Sequence, residues 1–168
     1  MGSKRIGLAR MEALMENLKR EIDFNGATFK GVVRKVKSVT SATTLTNADS
    51  GALIDFTGGA YDINLPQEPV TGCTYTFTHS AATSGERIID AYDGVHFFKG
   101  HVHDHETATP SIVTFNGSSH DQLKIASGAD ASHTLITITF IGSATWLITD
   151  SYSHDISDIS AGTASGNA

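Results

Sequence analysis

The chain has 168 residues, of which 39% are hydrophobic, a single cysteine and a formal net charge of −6. That length fits one domain plus arms, and a lone Cys73 excludes an intrachain disulfide, so stability must come from packing, assembly or bound ions. No apolar run approaches the roughly 20 residues of a membrane span, and Met1-Gly-Ser-Lys-Arg-Ile6 has no secretory apolar core, so no membrane partner is expected.

The charge is unevenly spread. Residues up to Lys37 hold nine of the twelve Lys and Arg residues against four acids, and the remainder holds three bases against fourteen acids. A basic arm joined to an acidic body follows. Such a split suits an arm that meets an acidic surface while the body stays dispersed by self-repulsion.

In chain order, Leu8, Met11, Met15, Leu18 and Ile22 recur at spacings of three and four residues, Leu14 widens the stripe, and Arg5, Glu12, Glu16, Lys19 and Arg20 take other faces. This predicts an amphipathic helix with Ser3 as N-cap and Asn25-Gly26 as its stop. A helix of about 17 residues is marginal alone in water, so its apolar stripe needs a surface to cover it. Leu8, Met11, Met15, Leu18 and Ile22, with the cations Arg5, Arg10, Lys19 and Arg20, are therefore the expected partner-binding arm.

Val32 to Val39 is β-branched and basic, and from there to Asp150 almost every run reads as strand. The runs Thr44-Leu-Thr-Asn-Ala-Asp-Ser-Gly-Ala-Leu-Ile-Asp-Phe56, Ala60-Tyr-Asp-Ile-Asn-Leu-Pro66 and Cys73-Thr-Tyr-Thr-Phe-Thr78 are separated by turn residues and predict an antiparallel meander. Cys73 is expected as a buried, inert thiol. In the strongest strand Ile136, Ile138 and Phe140 form a wholly apolar face, and Leu135, Thr137, Thr139 and Ile141 form a mixed one suited to a partly covered sheet surface. Trp146 is expected to seal the core. After Asp150 the chain turns small and polar, which in isolation predicts disorder. The expected organisation is a basic helical arm and linker over 1–31, an antiparallel β-sandwich or jelly-roll-like domain over 32–150, and a flexible polar C-terminal tail over 151–168.

One cluster has ligand chemistry. In His101-Val-His-Asp-His-Glu106 an extended chain would align His101, His103 and His105 on one face, and neutral imidazoles bind divalent transition metals. Around a threefold axis three copies would supply six nitrogens. A polar, turn-like His-rich loop is the favoured alternative. His79, His96, His120, His133 and His154 are expected at the surface or hydrogen-bonded within strands. No nucleophile elbow, zincin, P-loop or dinucleotide fingerprint is present, and Asp62, Asp90 and Asp93 lack calcium-loop spacing, so no enzyme activity and no cofactor are expected.

The run from Thr44 to Gly51, the strand end Asn64-Leu-Pro66, the strand Gly72-Cys-Thr-Tyr-Thr-Phe77 and the late Ile141-Gly-Ser-Ala-Thr-Trp-Leu-Ile148 together resemble the small β-domains of tailed-phage virion proteins, in head decoration proteins and fibre bases. The resemblance spans Ser41 to Asp150 and its matching residues are structural. It implies a capsid decoration or cement protein, a homotrimer made in the host cytoplasm that sits on the head surface of the virion. Its partner would be the major capsid protein or another virion protein, without specific nucleic-acid binding. The alternative it implies is a fibre or spike component that binds a host receptor or glycan.

Overall fold

In a computed structural model the described residues are 34–79, 85–92, 94–103, 112–126, 134–153 and 159–163. All belong to the second of two units of the chain, 34–168. The arm residues Leu8, Met11, Met15, Leu18, Ile22, Arg5, Arg10, Lys19 and Arg20 lie outside them, as do His105, His133 and His154.

The described residues form twelve strands in two sheets, the β-sandwich expected from the alternation. The strands are β1 (Val36–Val39), β2 (Thr43–Thr44), β3 (Leu53–Phe56), β4 (Tyr61–Asn64), β5 (Thr74–Thr78), β6 (Arg87–Asp90), β7 (Phe97–His103), β8 (Ile112–Asn116), β9 (Gln122–Ile125), β10 (Thr134–Phe140), β11 (Thr145–Ser153) and β12 (Ile159–Gly162). One sheet has seven strands in the order β1-β3-β5-β10-β11-β7-β8, the other five in the order β12-β9-β6-β4-β2.

Both sheets are mixed rather than antiparallel. The chain alternates between them strand by strand from β1 to β6, so β1 lies parallel to β3 and β3 to β5 in one sheet, while β2 lies parallel to β4 and β4 to β6 in the other. The run expected as a meander is therefore a winding. Its separators carry the chain across the sandwich instead of reversing it beside itself: at Thr57 to Ala60, Gly58 takes a positive φ of 89° and the Tyr61 hydroxyl sits 2.6 and 2.8 Å from the carbonyls of Val39 and Thr57. Period-2 alternation is the same for a hairpin and for such an arch, since either turns Ile54, Phe56 and Ile63 inward. Antiparallel pairing begins with β7 and β8 and continues where β9 joins β6 and where β10 joins β5 and β11.

The core fills the space between the sheets. Ile136, Ile138 and Phe140 point inward as expected, and Trp146 is fully buried with Tyr75 and Phe140 at centroid distances of 5.8 and 5.2 Å. Cys73 is buried, its thiol donating to the Tyr75 hydroxyl at 3.2 Å. Among the described residues Arg87 is the one buried Lys or Arg. Fully buried, its guanidinium lies 5.4 Å from the ring centroids of both Phe56 and Tyr61, and it donates to the Gly58 carbonyl. Two aromatic faces thus stand where a carboxylate would be expected.

The polar stretch after Asp150 also contributes to the sheets. Residues up to Ser153 complete β11, and β12 pairs antiparallel with β9, placing Ile159 in the core opposite Ile125. One isoleucine among Ser, Ala and Gly carries no periodicity, which is why the sequence hides this strand.

Candidate functional site

The residues quoted from Thr44 to Gly51 form a pinned corner. Asn47–Asp49 make a single 3-10 turn. The Asp49 carboxylate accepts from the Thr46 backbone N–H and hydroxyl, both at 3.1 Å, and from Lys35 and Lys37 at 2.8 and 2.9 Å. These hydrogen bonds, that from Lys35 first, hold its carboxyl far below the usual carboxylate range against the opposing effect of burial. Asn47 donates to the Glu68 carbonyl and accepts from the Val70 N–H, and the Ser50 hydroxyl accepts from the Thr74 N–H. The Tyr75 hydroxyl donates to the Thr46 carbonyl at 2.7 Å, and burial pushes its pKa upward. Asp49, Asn47, Ser50 and Tyr75 each fasten backbone, and the two lysines and the Thr46 hydroxyl hold Asp49 in place, so the motif is architectural.

The outer face of the seven-stranded sheet is different. Thr74, Thr76 and Thr78 of β5 stand beside Thr139, Thr137 and Leu135 of β10, with Oγ1 to Oγ1 distances of 2.9 Å for Thr74 and Thr139 and 3.0 Å for Thr76 and Thr137. Arg34 reaches over this row, donating to the Gly51 carbonyl and to the buried Thr76. Leu53, Leu135 and Leu147 flank the row half-exposed, and Ile112 and Tyr152 extend the apolar outline. Because these two pairs of hydroxyls bond to one another, they ask less of water than free hydroxyls would.

At the far side the face opens into a cleft of about 410 Å³ lined by residues of β7 and β11. Two features make it. The register of β10 on β11 shifts after Thr137, leaving Thr149 as a bulge, and Gly100 adopts a φ of 130° where a Cβ would meet Ile148 at 3.0 Å. His101, His103, Thr149, Asp150 and Ser151 line the cleft. The histidine segment is thus strand through His103, against the favoured expectation of a loop, and the alternation places His101 and His103 on one exposed face. It does so because Phe98 and Val102 anchor the inward phase of β7. His101 Nδ1 lies 3.2 Å from Thr114 Oγ1 on β8.

Two other histidines are not at the surface. His79 is buried against Phe56 at a centroid distance of 5.7 Å, and His96 is buried between Tyr92 and Phe140. Burial lowers the His96 pKa, opposed by a backbone hydrogen bond at Ala91. The signal was present: His79 continues the inward phase of Cys73, Tyr75 and Phe77, and His96 that of Phe98.

No protein-family model matches the chain, and no curated protein matches it. Among the described residues no helix is long and apolar enough to cross a membrane.

Proposed function

We propose that the chain is a structural protein of a tailed-phage virion, a trimeric decoration or cement subunit that docks on the head shell. The observation that carries this reading is the outer face of the seven-stranded sheet, a threonine ladder with two hydroxyl pairs bonded to each other and leucine flanks, whose paired hydroxyls can be covered at lower cost than free ones. The charge split supports it. Of the three bases after Lys37, Arg87 is buried, so an acidic body accompanies an arm rich in Lys and Arg. Arms that bring basic, amphipathic segments onto acidic neighbours would add interface at each contact, and a threefold arrangement would multiply it.

A fibre or spike role is the second reading, favoured by the open polar cleft beside β11. Copy number separates the two. Densitometry of purified virions should give copies on the scale of the shell lattice, whereas a number matching a vertex or the tail would select the fibre. Protein lacking residues 1–24 should fold and fail to bind particles that lack the subunit. Unchanged binding would remove the arm as anchor. Attachment should weaken with salt, since exposed charges act over a Debye length of about 8 Å at physiological ionic strength, without complete release.

A further inference from the structure

β7 sets His101 and His103 two residues apart, so both imidazoles leave the same exposed face of the sheet. Their ring centroids are 6.4 Å apart. Two imidazoles that each hold one ion at a nitrogen distance near 2.0–2.1 Å have centroids about 5 Å apart. Side-chain rotation of exposed rings covers that difference with the backbone in place.

The backbone beneath them is held on both sides. His101 pairs with Thr114 and His103 with Ile112 across to β8, and the Ser151 hydroxyl donates to the His101 carbonyl at 2.9 Å. On the other flank Gly100 lets β7 approach Ile148 closely. The Thr114 hydroxyl beside His101 Nδ1 supplies a further element. With the proton on Nδ1 and Thr114 accepting it, the Nε2 lone pair is left for a ligand, the outer-partner arrangement that orients metal-binding imidazoles. Asp150 lines the same cleft and brings negative charge. Among the described residues no third His, Cys, Asp or Glu completes a ligand group.

We propose that His101 and His103 form a two-imidazole chelate for a divalent transition-metal ion of the zinc, nickel or copper class. Water fills the remaining positions, and Asp150 balances charge from the cleft wall. Nitrogen ligands select this class over calcium and magnesium, which take oxygen. The site lies within one chain and does not depend on the virion reading.

The test is titration of the tag-free, full-length protein with zinc sulfate by calorimetry, and with nickel chloride by nuclear magnetic resonance. One ion should bind per chain, calcium should not compete, and His101→Ala and His103→Ala should each weaken binding at least about tenfold, with Thr114→Val weakening it by roughly tenfold. Paramagnetic broadening by nickel should be confined to amides near Ile112, Thr114 and Ser151. This second readout on the unsubstituted protein stands even where a variant folds poorly. Absence of saturation at millimolar zinc, displacement by calcium, wild-type affinity in both histidine variants, or broadening centred elsewhere would each overturn the proposal.

Discussion

On the seven-stranded sheet the outward residues of β5 and β10 are threonines, two pairs of them bonded to one another, flanked by leucines; on the five-stranded sheet β4, β6 and β9 turn out Asp62, Asn64, Asp90, Gln122 and Lys124 around a half-exposed Ile88. Both sheets close the same core, yet they turn different chemistry outward. Gln122 donates to Asp90 at 3.0 Å, which leaves the rest of that carboxylate to other partners. Covering such a face would strip carboxylates and an ammonium of water at several kcal/mol each. The two hydroxyl pairs of the threonine ladder carry less of that penalty, because Thr74 bonds to Thr139 and Thr76 to Thr137, and the charges to be covered there are Arg34 and, beside Thr78, Asp55. The difference teaches that composition and the state of the hydrogen bonds together set what it costs to cover a sheet face.

The largest effect should come from what the two faces share. Trp146 is fully buried under the seven-stranded sheet against Tyr75 and Phe140. Trp146→Ala should cost about 3–5 kcal/mol, measured by chemical denaturation, and both faces should be lost in one transition. Two separated transitions would show that the sheets are independent.

Next in size is the corner that fixes the first strands of the winding. Asp49→Ala removes an acceptor shared by two lysines and a turn, and should cost about 1.5–3 kcal/mol. Its depressed pKa sets the sign of the pH effect: the stabilisation is complete above the ordinary aspartate value of 3.8 and is lost as pH falls below it. His96 acts in a higher window. Burial lowers its pKa, so below the ordinary 6.5 the unfolded chain binds the extra proton first and stability falls with pH. His96→Phe should flatten the stability profile from pH 6.5 downward while leaving the Asp49 limb. A profile unchanged by this substitution would show that His96 titrates alike in folded and unfolded chains.

The two faces are contrasted directly by charge. Leu135→Lys with Leu147→Lys should reduce attachment to the particle at least about tenfold, equivalent to 1.4 kcal/mol, with an unchanged melting temperature. Asp62→Asn with Lys124→Gln on the other sheet should leave affinity within about twofold. Equal losses from both pairs would mean that the ladder is not the docking face.

Much of this was legible in residue alternation. The inward phase of β10, the burial of Cys73 and Trp146, and the shared face of His101 and His103 follow from period 2 alone. Which sheet each strand joins does not, because an arch at Thr57 to Ala60 and a hairpin place the same side chains inward. The bulge at Thr149 was equally hidden, since a one-residue slip between β10 and β11 leaves no composition signal. Arg87 was missed for an energetic reason: a strand residue in phase with Ile89 reads as a solvated charge unless Phe56 and Tyr61, distant in sequence, are known to enclose it.

The smallest predicted effect tests the ladder itself. Thr76 is buried, and its hydroxyl meets Thr137 at 3.0 Å and receives Arg34. Thr76→Val keeps the shape but strands the Thr137 hydroxyl, and should cost about 0.5–1.5 kcal/mol. Thr137→Val should cost a similar amount for the reciprocal reason. The double substitution removes both members of the pair together, so nothing is left unsatisfied between them and its cost should fall below the sum of the two. Measured as a double-mutant cycle by chemical denaturation, a coupling above about 0.5 kcal/mol would show that the threonines satisfy one another. Strict additivity would mean that each hydroxyl is served by water instead, and the outer face of the seven-stranded sheet would then be as costly to cover as its counterpart.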